Sequence, residues 1–327
     1  MFQSRRDFLG TLFAAGLGGG CRLTGLSRPV PAANPALDGN LVLSRITVEA
    51  DVAEPFSVLH ASDTHLAFMG TTDQGLREAA EHFTRRWVRF PQAFNSLLST
   101  LSYAERRGFP LLHTGDLIDY GSDANYETLR RLMANREDVQ CAIGNHEYHY
   151  RGPSDPPDDR AAARARLSGV LPNDAAFAAR VIGGVDFVAF DDADGNVTED
   201  VARRVLAEFG RGLPVVLTCH VPLFYSAEMV AFKKKVVAAH GGLFTPESAV
   251  MPDDAPCGPY RPVADVDAKR KTSVTTGFIE RLRREPALKA VLCGHTHIRY
   301  HERFSPTAVM YVVGGNFEGY LREVRFI

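Results

Sequence analysis

The stretch AVLCGHTHIRY, residues 290–300, places two imidazoles, His295 and His297, just beyond a short apolar run that stops at Gly294. Four other runs end in a similar way. SVLHASDTH delivers Asp63 and His65, LLHTGD delivers Asp116, CAIGNH delivers Asn145 and His146, and VVLTCH delivers His220. Nitrogen and oxygen donors without thiolate suit divalent Mn, Fe or Zn. A set of this size exceeds what one tetrahedral site uses, which points to two ions. A lone histidine after a strand is ordinarily a hydrogen-bonded turn residue, and DTH or GNH alone is frequent by chance. Five endings in one chain, each with glycine or a small residue beside the donor, are not. The glycines have a physical use, because ligand loops must turn sharply and bring backbone close to the ions.

Such donors need strands to carry them. NLVLSRITVEADVAEPFSVLHASD holds two β-rich runs around a polar turn with Pro55. PQAFNSLLSTLSYAERRG has helical spacing with Gly108 as its stop, and it feeds FPLLHTGD; NYETLRRLMANRED repeats the pattern before VQCAIGNH. ARVIGGVDFVAFDD reads as a hairpin turning at Gly183-Gly184. Thr198 is placed to cap EDVARRVLAEFG, which leads into LPVVLTCH, and AVMYVVGGN and YLREVRFI add two strands. Strands alternating with helices predict an α/β layered domain. Donors at successive strand ends then converge along one sheet edge, where ligand crevices form. No repeat or linker interrupts residues 41–327, so one domain is expected there.

Composition is that of a globular protein, with 45% hydrophobic and 23% charged residues among 327. A formal net charge of -2 offers no polyanion-binding surface, so nucleic acid is not an expected partner. Residues 1–32 read as an export address rather than structure. Arg5 and Arg6 precede Phe8 and Leu9, and an apolar run to Gly20 is too short to span a bilayer. The segment resembles a bacterial twin-arginine signal, which implies a periplasmic or other extracytoplasmic location. Cys21 is a weak candidate for lipidation, and membrane attachment is expected only through it; simple cleavage near Ala32 is the competing outcome. Of the remaining cysteines, Cys141, Cys219 and Cys293 end apolar runs, where small buried hydrophobes fit, so free thiols are expected.

With these motifs in this order, residues 56–315 resemble the calcineurin-like metallophosphoesterase family. The resemblance implies a four-layer α-β-β-α sandwich with a di-metal site at the strand ends. It implies that Asp63, His65 and His297 hold one ion, that Asp116 bridges, and that Asn145, His220 and His295 complete the second. His146 is then left to contact substrate and to give a proton to the leaving alcohol. The implied reaction is hydrolysis of a small phosphorylated substrate, monoester or diester, by a hydroxide activated between the metals.

Departures from subfamilies narrow that reading. Tyr120 and Ile143 stand where Ser/Thr protein phosphatases carry phosphate-gripping arginines, which argues against phosphoprotein substrates. Asp119 stands where purple acid phosphatases place an iron-binding tyrosine, which argues against an Fe(III)-tyrosinate centre. Residues 223–275 are expected as an inserted substrate-side loop region. Within it Lys233, Lys234 and Lys235 read as a solvated helix face, as does the arginine-dense stretch from Arg160 to Arg166. The sequon at Asn196 means little in a bacterial-type exported chain. Two other classes compete: a catalytically silent binding protein on the same fold, which would ordinarily have lost ligands, and a metal-storage protein, which would have no use for His146.

Overall fold

Along the central strands successive side chains point to opposite faces, and both faces are buried. That double burial decides the layering. In the computed structural model, which describes residues 41–70, 91–149, 160–240, 251–252 and 255–327, the strands form two sheets. The first comprises β1 (Val42–Val48), β2 (Phe56–Ala61), β3 (Leu111–Thr114), β4 (Val139–Ala142) and β11 (Tyr320–Phe326), in the order β1-β11-β2-β3-β4. The second comprises β5 (Phe177–Ile182), β6 (Val185–Phe190), β7 (Val215–Thr218), β8 (Leu288–Cys293), β9 (Tyr300–Arg303) and β10 (Val309–Val312), in the order β5-β6-β7-β8-β10-β9.

Val58, Leu112, Phe187, Val216, Leu292 and Phe326 form the core between the sheets. Their strand neighbours point the other way. Leu59, Leu111 and Cys141 pack on α1 (Ala93–Arg107), α2 (Asp123–Met133) and α3 (Arg160–Leu167) through Leu97, Leu129 and Leu167. Val215, Leu217 and Val291 pack on α4 (Glu199–Glu208), α5 (Ala227–His240) and α6 (Ser273–Leu282) through Val205, Met229 and Phe278. The result is helices, sheet, sheet, helices: the four-layer sandwich that the resemblance implies.

The local signals act as expected. Gly108 ends α1 in the left-handed region at φ 64°, and the Thr198 side chain accepts from Val201 N at 3.3 Å. Gly183 and Gly184 turn the β5–β6 hairpin, both at positive φ. One arrangement lies outside the sequence reading and one differs from it. β1 and β2 are neighbours in sequence but not in the sheet, because β11 runs between them, parallel to β1 and antiparallel to β2. The arginines of α3 do not form a solvated face: Arg160 and Arg164 lie 3.2 and 3.1 Å from the buried carboxylate of Asp191. Cys141, Cys219 and Cys293 are buried free thiols, and Cys257 is free and half-buried. Among the described residues no helix is long and apolar enough to cross a membrane. The proposed export segment, with Arg5, Arg6 and Cys21, lies outside the described residues.

Candidate metal centre

β2, β3 and β4 run parallel in one sheet, and β6, β7, β8 and β10 run parallel in the other. Asp63 and His65 follow β2, Asp116 follows β3, Asn145 and His146 follow β4, His220 follows β7, and His295 and His297 follow β8. The donors therefore meet at the carboxyl ends of strands from both sheets, the edge at which α/β sheets bind ligands.

The backbone there is in a conformation that non-glycine residues seldom adopt. Asp63, His65, Asp116, His295 and His297 all have φ between 51° and 65°. The left-handed region costs an ordinary residue roughly 1–2 kcal/mol, and such residues persist only where the surroundings over-determine them. Bonds between neighbouring loops do so here. Asp63 N donates to Gly115 O at 2.9 Å, His65 N to Asp116 O at 2.9 Å, and Gly294 N to His220 O at 3.0 Å. The loops also pack too closely for side chains: a Cβ on Gly144 would overlap the Asp116 carboxylate, and one on Gly294 would overlap Ser62 Oγ and Asp63 Oδ2.

Within this frame the donors fall into Asp63, His65 and His297, and Asp116, His220 and His295, while His65, Asp119 and His146 form a third, overlapping group; each has ligand atoms within 4.8 Å of one another. His65 Nδ1 bonds Asp119 Oδ1 at 2.9 Å, and its Nε2 is left 3.1 Å from His297 Nε2. His297 Nε2 lies 3.2 Å from Asp63 Oδ1. His220 Nδ1 donates to Thr114 O at 2.8 Å, and its Nε2 faces His295 Nδ1 at 3.2 Å and Asn145 Oδ1 at 3.3 Å. One oxygen joins the groups: Asp116 Oδ2 lies 3.6 Å from His65 Nε2 and 3.3 Å from His220 Nε2, while Oδ1 accepts from His146 N at 3.0 Å.

Ring nitrogens and carboxylate oxygens thus converge on one another. For His65 and His220 the other ring nitrogen is engaged outward, the arrangement that orients imidazole ligands. Charge points the same way. Burial opposes ionisation of Asp63 and Asp116, yet neighbouring imidazoles, His297 and His220 first, hold both carboxyls below the usual range. Burial also opposes a charge on His220, but Asp116 prevails and lifts the ring to about 10. Burial pushes His65 down, and burial with His220 nearby pushes His295 down to about 3. Among the described residues neither Asp63 nor Asp116 has a lysine or arginine in ion-pair contact. Two buried carboxylates with no lysine or arginine partner, facing inward-directed ring nitrogens, favour a divalent cation.

The remaining predicted residue, His146, bonds Asp119 O through Nδ1 at 2.8 Å, and its Nε2 lies 4.0 Å from Asp116 Oδ2. Tyr120 sends its hydroxyl to Phe68 O at 3.2 Å, and Ile143 is part of the helix-side core, so neither serves the site. Asp119, weighed from sequence only as the place of an iron-binding tyrosine, and three residues the motif reading passed over hold it in place. Asp119 orients His65. Glu147 accepts from the backbone N–H groups of Asp116, Leu117, Ile118 and Gly144. Asp192 accepts from His220 N at 2.8 Å and Val221 N at 3.2 Å, and Asn316 N donates to Ser62 O at 2.8 Å. Asp192 and Asn316 follow β6 and β10, so the strand-end rule applied to those strands would have found them.

A family model described as calcineurin-like phosphoesterase matches residues 56–299. No curated protein matches the chain. Among solved structures, a dimetal phosphatase from Danio rerio is 12% identical over 81% of this chain and 89% of its own, with a TM-score of 0.40. A Staphylococcus aureus protein described as a 5'-nucleotidase, in complex with alpha-ketoglutarate, is 13% identical over 80% of this chain and 49% of its own, with a TM-score of 0.38. A 5'-nucleotidase precursor from Thermus thermophilus is 13% identical over 81% and 50%, with a TM-score of 0.34. The chain spans about half the length of these two nucleotidases.

Proposed function

We propose that this chain, which belongs to the calcineurin-like phosphoesterase family, is a metal-dependent phosphoester hydrolase with a two-ion centre and His146 as proton donor. Asp63, His65 and His297 would hold one ion, Asn145, His220 and His295 the other, with Asp116 shared. The observation that carries this reading is the position of Asp116 Oδ2 between the two imidazole groups. Bound there, two divalent cations would supply Lewis-acid neutralisation of phosphoryl oxygens and an activated water nucleophile. The oxygen and nitrogen donors fit Mn, Fe or Zn alike.

The protein's own groups do the rest. Asp119 and Thr114 O hold Nδ1 of His65 and His220, which keeps each Nε2 directed inward. Asn145 contributes a neutral oxygen, which limits the negative charge facing an anionic substrate. His146, fixed through Nδ1, is placed to pass a proton from Nε2 to the departing alcohol oxygen. Seven retained donors together with His146 favour an enzyme over a silent binding protein or a storage protein.

A panel of phosphomonoesters and phosphodiesters assayed with added Mn²⁺, before and after chelation, tests the reading. Turnover that chelation abolishes and metal restores is the expected result. Activity indifferent to chelation, or elemental analysis giving fewer than two ions per active chain, defeats the two-ion centre. Export is the matching proposal for residues 1–32. Replacing Arg5 and Arg6 with lysine should retain the folded protein in the cytoplasm, and undiminished export overturns it.

A further inference from the structure

The run Lys233–Lys235 reads from sequence as one solvated face, but the structure separates its members. α5 buries Met229 and Val236 in the outer core of the second sheet, with Phe232 packed against them. Helical spacing carries Val230, Lys233 and Val237 onto another face. These three line a cleft of about 670 Å³ that also includes Asn145 and His295 of the proposed centre. Lys235 is exposed, and Lys234 reaches the cleft from an exposed position, whereas Lys233 is half-buried. Burial lowers the Lys233 ammonium below its ordinary range, and the opposing charge it feels is that of Asp63.

Two neighbouring cations of the cleft are already engaged, and a third, Lys234, stands exposed to water. Lys271 Nζ lies 3.1 Å from Asp265 Oδ2 and donates to Leu223 O at 2.7 Å, and Arg270 Nε lies 3.3 Å from Asp267 Oδ1. Among the described residues Lys233 has no hydrogen-bond or ion-pair partner. A half-buried ammonium facing the centre without a partner is suited to an incoming anion.

The wall beside it is apolar where water would favour polar groups. Val237 and Val266 are 41% and 54% exposed, and both line this cleft with Val221, Tyr225 and Val230. The core explains Met229 and Val236 on α5; it does not explain Val230 and Val237. An apolar wall beside a few polar or charged groups, here with Lys233 the half-buried one, is the usual make-up of a small-molecule site.

We infer that the cleft takes a phosphate monoester of an apolar or aromatic alcohol, with the Lys233 ammonium on a non-bridging phosphoryl oxygen and the Val237–Val266 wall against the alcohol. The inference rests on the phosphoesterase reading and names its substrate class. A monoester dianion gains about twice the Coulomb attraction of a diester monoanion at the same distance. It also presents a single alcohol group to a single apolar wall.

The test uses the metal-loaded full chain and two non-hydrolysable dianions, phenylphosphonate and methylphosphonate, with binding read by titration calorimetry. Lys233→Met should weaken phenylphosphonate by about 10–100-fold, the worth of a charged hydrogen bond. Lys233→Arg should restore part of the loss, with metal content unchanged in both variants. Val266→Asp should weaken phenylphosphonate clearly more than methylphosphonate. In turnover, Lys233→Met should lower kcat/KM for phenyl phosphate more than for diphenyl phosphate. Phenylphosphonate binding within about 2-fold of the parent in Lys233→Met, or equal loss of both phosphonates in Val266→Asp, overturns the inference while the parent still hydrolyses esters. A parent that hydrolyses no phosphate ester defeats the phosphoesterase reading instead, and the phosphonate titrations still decide the role of Lys233.

Discussion

His146 shares a turn with Asn145, yet its ring belongs to a different set of contacts. Nδ1 is tied to Asp119 O, and the ring packs edge-on to His65 with centroids 4.6 Å apart. This fixes where Nε2 points, although the ring also shares a donor group with His65 and Asp119. Asp119 therefore serves both histidines, His65 through its side chain and His146 through its carbonyl. An alkyl alcohol leaves poorly as an anion and needs a proton, whereas a nitrophenolate leaves well without one. His146→Gln is expected to keep its metal and to slow alkyl phosphates by about 10²–10⁴-fold. Nitrophenyl esters should suffer clearly less. Equal losses for both substrate types would make His146 a charge that positions phosphate, and loss of metal would make it structural.

At the scale of elements, the loops after β3 and β4 are joined by one buried side chain. Glu147 Oε1 accepts from Leu117 N at 2.6 Å and Ile118 N at 3.2 Å, and Oε2 accepts from Gly144 N at 2.7 Å and Asp116 N at 3.0 Å. These bonds hold Asp116 at its positive φ while Gly144 passes against its carboxylate. Glu147→Ala leaves four buried N–H groups unpaired and is expected to cost about 3 kcal/mol of stability, together with metal affinity. Glu147→Gln, which keeps one accepting oxygen, should cost less. Denaturant unfolding measures both; an alanine variant as stable as the parent would show that the two loops hold themselves.

At the scale of the molecule, the second sheet ends in β9, a strand the sequence reading did not anticipate. It places Glu302 beside Ser226 and Glu228 of the α5 region, with Oε1 unbonded among the described residues. Burial, with Glu228 adding to it against Ser226 and Arg283, pushes this carboxyl up to about 7 from its ordinary 4.5. A raised folded-state value means that the fold favours the protonated form. The associated stability is present below about pH 4.5 and is lost as pH rises through about 7. Glu302→Gln, which mimics the protonated acid, should therefore stabilise the protein above pH 7 and make little difference near pH 4.5. Thermal melts at the two values check this, and a pH-independent difference would assign the effect to packing.

The sequence alone determined the donors and the elements that carry them, because both are local. Apolar runs of strand length, glycines beside the donors and caps such as Thr198 act within a few residues, so the strand ends were legible one by one. The four-layer arrangement was legible through family resemblance. Tertiary structure alone decided what depends on chain pairs far apart. It ran β11 between β1 and β2, so the last strand joins the first two across most of the chain. It brought Asp119 to His65, and Asp192 to His220, through contacts that no motif spacing encodes. It also divided a run of three lysines, turning Lys233 toward the donors while leaving Lys235 in water. A local pattern specifies which side chain a strand end presents; the packing of two sheets decides which of those side chains meet.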